Sequence, residues 1–406
     1  MSHFINISIL KRNKNYRFLW AGQSVSNFGT MITRVALPYQ IYHLTHSTLM
    51  IGLLSLCQLI PLLGTALYGG VLADRHHRKK LLLIAEVLLA LGCLLLILNS
   101  ELKSPSILAI FLIATIMSGI TGLHRPALDS ITQQIVSKQD YGAASALSSF
   151  SNSAGAIAGP ALAGLMIVSF GLKITFIIDL LTYVFSLVAL WRLRDISKPL
   201  LNAIEPIWQS LKQGLKYAFT SQEIKGTYFV DFVAMIFGMP IALFPAMAQS
   251  FGGAKALGLL YAAPAVGALL LSFVSGWTQH VRRHGVAIAI AAALWGLAII
   301  GFGLSKSLPW ALLFLVFAGA ADAVSGIFRD IVWNEIIPQH LYGRLAGVNM
   351  ISYLSGPRLG DAEAGLVAAA FGVTASVVSG GVLCIAGVGV CCYFLPKFWH
   401  YRSKLV

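Results

Sequence analysis

Gly70-Val-Leu-Ala-Asp74-Arg75-His76-His77-Arg78-Lys79-Lys80 sets six basic or histidine side chains and one acid between two long apolar runs. Met50 to Ala73 precedes it and Leu81 to Leu98 follows it, and each run is long enough to cross a hydrocarbon core of about 30 Å. The charged stretch itself cannot lie in hydrocarbon, so it reads as a tight loop at a membrane surface between two spans.

Composition agrees with that reading. Hydrophobic residues make up 57% of the 406 positions and charged ones 11%, against roughly a quarter charged in an ordinary soluble domain. Mean hydropathy is +0.78. The net charge of +14 would suggest nucleic acid if the basic residues formed one patch, but they are dealt out in short clusters between apolar runs. They therefore read as topology determinants in a lipid bilayer, with no nucleic-acid partner. Cys57, Cys93, Cys384, Cys391 and Cys392 have no metal-ligand spacing and read as buried thiols, with a juxtamembrane acylation site at the last pair as the lesser reading. No P-loop, H-E-x-x-H or paired-cysteine motif is present, so no cofactor is expected. The first apolar run follows Lys11, Arg12, Lys14 and Arg17 and continues as a span, unlike a cleavable signal.

An all-α membrane protein of twelve transmembrane helices is expected. They are placed at Tyr16–Tyr42, Leu49–Ala73, Lys80–Leu98, Pro105–Val136, Tyr141–Phe170, Lys173–Trp191, Ile224–Phe251, Ala256–Gln279, Gly285–Leu304, Pro309–Ile337, Leu341–Phe371 and Thr374–Leu395. With the amino terminus inside, twenty-one Lys and Arg fall on the cytoplasmic side and only Lys103, Lys173, Lys255 and Lys306 outside. Both termini are then cytoplasmic. The longest polar connection, Arg192 to Glu223, divides the chain into a six-helix bundle over 1–193, a linker over 194–222 and a second bundle over 223–406. Within the linker Ile204, Ile207, Trp208, Leu211, Leu215 and Phe219 recur at helical spacing beside Lys212 and Lys216, as in a helix lying on the membrane surface.

The two halves repeat each other. Gln134-Ile-Val-Ser-Lys-Gln-Asp-Tyr141-Gly142 aligns without gaps on Glu335-Ile-Ile-Pro-Gln-His-Leu-Tyr342-Gly343, and the same offset pairs Asp129 with Asp330, Gly155 with Gly356, Gly159 with Gly360 and Phe170-Gly171 with Phe371-Gly372. Two pseudo-symmetric bundles from one ancestral plan are implied. Parallel repeats of this kind hold substrate near the bilayer midplane between the halves and rock around it.

Charge differences between the repeats mark candidate site residues. Ile157, Pro160 and Leu162 of the first half correspond to Arg358, Asp361 and Glu363 of the second. Ionisable groups within a span are costly and are functional candidates by default, although Arg358 and Asp361 are also spaced for an internal ion pair. In the tenth span Asp322 and Arg329 lie two turns apart on one face. Gln23, Asn27, Thr30 and Arg34 form a polar face on the first span. In the seventh, Asp231 precedes Pro240 and Pro245, which loosen a helix. Arg125 and Asp129 are i,i+4 neighbours, read equally as a pair or a ligand contact. Asp179, Glu86 and His124 read as satisfied interior groups.

The pattern G-x-L-A-D-R-x-x-R-K-K-x-L from Gly70 resembles the loop signature between the second and third spans of the major facilitator superfamily, with His77 where a Gly is usual. That resemblance implies a conformational switch. Asp74, within Gly70-to-Arg75, would cap the amino-terminal end of the eleventh span, where the helix dipole is positive, and Arg78 would meet Asp129 while the inner side is closed. Gly155-x-x-x-Gly159-Pro160-x-x-Ala163-Gly164 resembles the Gly-Pro motif of exporters and antiporters in this superfamily. The segments Ala36-to-Thr48, Gly69-to-Arg75, Asp322-to-Arg329 and Leu359-to-Gly365 look closest to its enterobactin-type siderophore exporter group. One departure is Thr115, four residues before Gly119, where proton-coupled drug antiporters carry Arg.

The resemblance implies a monomeric transporter of a bacterial inner membrane. It would export a polar small molecule such as a siderophore by alternating access coupled to proton influx. Gln23, Asn27, Arg34, Asp231, Asp322, Arg329 and Arg358 are the expected cavity residues, and Asp322, Asp361, Glu363 and Asp231 the expected proton carriers. A macrolide or multidrug exporter of the same fold is the nearest rival. A polytopic acyltransferase is the remote one, suggested by the H-x4-D pattern of His124 and Asp129.

Overall fold

A computed structural model describes residues 7–75, 77–194 and 207–403, with backbone alone at 70, 71, 73–75, 207, 208, 210, 211, 339–344 and 346. Every long element in these residues is an α-helix. The first four are α1 Lys14–Thr45, α2 Thr48–Arg75, α3 Arg78–Ser100 and α4 Ile107–Ile135. Tyr141–Trp191 is a composite of α5, 141–170, and α6, 172–191, meeting at Gly171. A short helix α7, Ile207–Ala218, lies in the connection between the halves. Then come α8 Gln222–Phe237, α9 Phe244–Phe251, α10 Ala254–Val274, α11 His284–Leu304, α12 Leu308–Ile336, α13 Gln339–Phe371 and α14 Val373–Phe394.

Nine stretches of the described residues are long and apolar enough to cross a membrane, one of them the composite over Lys138–Trp191 and another joining α8 to α9. Counting α5 and α6 apart, and adding the more polar α1 and α13, gives the twelve spans. On α3, Leu82, Leu89 and Leu96 are buried while Leu88, Leu91, Leu95 and Leu98 are exposed. A helix apolar on both its inner and outer faces needs lipid as its solvent.

Contacts group the chain into two compact units, one of Met1–Gln40 with Cys57–Ile204 and the other of Ile41–Leu56 with Glu205–Val406. In the first, Leu19, Leu82, Ile131 and Leu190 form an apolar cluster where α1, α3, α4 and α6 meet. In the second, Val230, Ile288, Phe328, Val332 and Val388 do the same for α8, α11, α12 and α14.

The internal repeat reappears in each unit's geometry. Gly171 has φ 76, ψ 175 and Gly372 has φ 92, ψ 158, a region that only glycine enters without strain. Each forms the corner between two antiparallel spans. Gly159 of α5 packs on α1, where a Cβ would stand 2.6 Å from that of Met31. Its counterpart Gly360 of α13 packs on α8, where a Cβ would stand 2.8 Å from the Ile236 carbonyl oxygen. The seventh span is broken as its prolines require: α8 stops at Phe237, a single 3₁₀ turn covers Ile241–Leu243, and Pro245 opens α9.

Candidate functional site

The carboxyl-terminal unit brings three of the expected cavity residues together. Arg329 of α12 forms an ion pair with Asp231 of α8, and its other guanidinium nitrogen lies 3.9 Å from Asp322, two turns earlier on α12. The Arg329 and Asp231 side chains are 15% and 14% exposed, and that of Asp322 is 44% exposed. One cation is thus held by a mostly buried acid and flanked by an accessible one. Asp322 is the most exposed member of the three. The arrangement follows from local rules: i,i+7 spacing stacks Asp322 and Arg329 on one face, and α8 lies against α12.

Asp361 of α13 is bound on both oxygens. It accepts a hydrogen bond of 2.8 Å from the Ser55 hydroxyl and one of 2.9 Å from the Ala242 amide. That amide belongs to the 3₁₀ turn at the break in the seventh span, where helix geometry leaves donors without partners. Arg358 also acts on Asp361 electrostatically, one turn away on α13. Asp361 therefore fastens α13 to the start of α2 and to the broken seventh span. Sequence reading missed Ser55, because a lone Ser in an apolar helix start carries no periodic signal. Glu363 is partly buried.

In the amino-terminal unit the expected polar face of α1 does not hold together as one lining. Gln23 is turned into the bundle, where its amide donates to Glu86 at 2.7 Å and to Ser186 at 3.0 Å. Thr30 pairs with the Tyr183 hydroxyl at 3.0 Å. Gln23 is drawn in by the buried carboxylate of Glu86, which no Lys or Arg pairs with among the described residues and whose Oε1 gathers the polar groups around it. Ser186 donates to it at 3.0 Å, and His124 Nε2 lies 3.1 Å from the same oxygen. Asp179, equally buried, accepts from Thr33, Thr182 and the Cys93 thiol. Asn27 remains, its amide nitrogen buried without a partner beside Gly155. Arg34 is exposed.

His124 is thus a ligand of Glu86, while Asp129 pairs with Arg125 at 3.6 Å. The two ends of the H-x4-D pattern make separate contacts. Arg78 donates to the Ser130 carbonyl at 3.3 Å, near the carboxyl-terminal end of α4 and next to Asp129. The side chains of Gly70-to-Arg75, and with them the expected capping by Asp74, lie outside the described residues.

Residues 9–401 match the family model of transmembrane secretion effectors in the major facilitator superfamily. The chain belongs to this family. It is a multi-pass membrane transporter. It is 28% identical to the enterobactin exporter EntS of Escherichia coli (strain K12) over 409 aligned positions, covering 99% of this chain and 97% of the relative. A second exporter of that name, from Citrobacter koseri, is 28% identical over 95% of this chain and 93% of its own. Among solved structures, a POT family transporter in complex with 5-aminolevulinic acid superposes with a TM-score of 0.76 at 14% identity, over 95% of this chain and 97% of its own. A bacterial homologue of the human lysosomal transporter Spinster, in an inward-facing and unoccupied conformation, gives 0.73 at 16% identity over 97% and 98%. At those identities the likeness concerns the fold alone.

Proposed function

We propose that this transporter exports an anionic or zwitterionic metal chelator of the siderophore class, by alternating access coupled to inward proton flow across a bacterial inner membrane. The carrying observation is Arg329 held between Asp231 and Asp322 inside membrane helices. A guanidinium offers paired donors to carboxylate, hydroxamate or catecholate oxygens. An acid exposed beside it supplies a place for a proton when the cargo leaves. Arg358, Arg34 and the unpartnered amide of Asn27 are the further groups proposed to face the cargo. Both termini face the cytoplasm in this proposal, supported by the steep excess of basic residues on that side. The name of the Escherichia coli relative supports the chelator class.

Uptake of a labelled catecholate chelator into inverted membrane vesicles tests the reading. Wild-type protein is expected to accumulate it when the lumen is acidic and to lose that accumulation when the gradient is collapsed. Asp322→Asn is expected to keep binding and downhill exchange but to lose gradient-driven accumulation. Normal siderophore secretion by a deletion strain with no redundant pump would overturn the assignment. Drug hypersensitivity of that strain would favour a drug exporter instead.

A further inference from the structure

One end of the amino-terminal unit contains a cleft of about 1130 Å³ apart from the Arg329 site. Arg12 reaches it from the short helix before α1, Lys14 and Arg17 from the start of α1, and Arg192 and Arg194 from just past the end of α6; among the described residues Asp140 is the one acid that lines it. Asp140 is occupied by Arg12 at 2.8 Å. Among the described residues no carboxylate pairs with the other four cations. Two of them share one aromatic surface, the guanidinium carbons of Arg17 and Arg192 lying 5.6 and 5.8 Å from the centre of the Phe18 ring.

The cleft is built, not incidental. Asn15 donates to the Arg194 carbonyl at 2.8 Å and accepts from the Arg194 amide at 3.2 Å, tying the two helix ends together. Lys79 donates to the carbonyls of Trp191 and Leu193 at 3.1 and 2.6 Å, so the end of α6 is fastened from α3 as well. Topology requires only that basic residues be numerous on one side; it does not require four of them to line one hollow, two of them on a single ring. Holding like charges together is unfavourable unless an anion joins them. The hollow lies at the ends of two spans, and Trp191, 77% exposed at its rim, is the residue type that settles at headgroup level.

We infer that this cleft is a binding site for the phosphate headgroup of an anionic phospholipid. Basic pockets between spans take such headgroups, and each basic residue near the surface contributes about a fivefold gain. Lys14 and Arg194 would meet the phosphate together with the pair on Phe18, all four being exposed cations.

The test titrates detergent-purified, full-length protein with phosphatidylglycerol or phosphatidylcholine and counts bound lipid by native mass spectrometry. Wild-type protein is expected to prefer phosphatidylglycerol, and Arg17→Gln/Arg192→Gln to bind it about thirtyfold more weakly, from two such contributions. Arg282→Gln/Arg283→Gln removes the same charge from the other unit and is expected to bind like wild type. Equal binding of both lipids, or equal loss in both double variants, overturns the site. Displacement of the lipid by millimolar inorganic phosphate overturns the lipid assignment in favour of a soluble anion. If Arg17→Gln/Arg192→Gln does not fold, Lys14→Gln/Arg194→Gln is read by the same criteria.

Discussion

Replacing Arg329 by Gln removes the cation that lies between Asp231 and Asp322 in the carboxyl-terminal unit. Breaking a buried ion pair from one side costs about 3–5 kcal/mol, because the surviving charge is left in a medium that cannot solvate it. With about 14% of the Asp231 side chain still accessible, the lower end applies, so the expected loss is about 3 kcal/mol. Asp231→Asn is expected to cost less, since Arg329 keeps Asp322 at 3.9 Å. In the double variant Asp231→Asn/Arg329→Gln neither charge of the pair remains; Asn keeps the shape of Asp, and the shorter Gln withdraws the guanidinium end. Its stability is expected within about 1 kcal/mol of wild type, a coupling of at least about 2 kcal/mol. Unfolding equilibria of the four proteins in one detergent measure this. If the double variant loses the sum of the two single losses, the residues do not interact and the description of the triad is wrong. Transport separates structure from function: the double variant regains stability without regaining chelator binding if Arg329 serves the cargo.

Gly171→Ala and Gly372→Ala each place a Cβ in a backbone region reserved for glycine and are expected to cost about 1–3 kcal/mol, read as lowered thermal midpoints. Glu86→Leu strands the donors of Gln23, Ser186 and His124 and is expected to cost about 2 kcal/mol, whereas Glu86→Gln, which keeps an acceptor, costs less. Asp361→Ala releases both Ser55 and the Ala242 amide, so it is expected to destabilise more than Ser55→Ala, and amide exchange at Ala242 should rise only in the former. Tyr401→Phe removes the 2.7 Å hydrogen bond to Glu335 that helps fasten the carboxyl-terminal segment, with an expected loss of about 1 kcal/mol and faster proteolysis of that segment.

Much of this molecule was legible before any coordinates. A run of apolar residues about 20 long has one stable form in lipid, because every backbone amide must be satisfied within the segment. The charged turn at Asp74-to-Lys80 therefore separated two spans with no reference to packing. The offset that aligned Phe170-Gly171 with Phe371-Gly372 likewise found the two glycine corners, since a backbone with φ near +76 or +92 admits almost nothing else. The break at Pro240 followed from the missing amide.

Only tertiary structure decided how the polar side chains were shared out. Spacing on one helix puts Asp322 and Arg329 on a common face, and it puts Gln23 and Thr30 on one too. It does not say what stands opposite. Arg329 met an acid from α8 and became the centre of a charged site, while Gln23 met Glu86 and Ser186 and was taken into the interior. The cations of the Phe18 cleft are likewise scattered between positions 12 and 194, and the fold alone gathers them. Helix formation in lipid is a local matter of backbone hydrogen bonds, whereas the partner of a buried charge belongs to another helix distant in sequence.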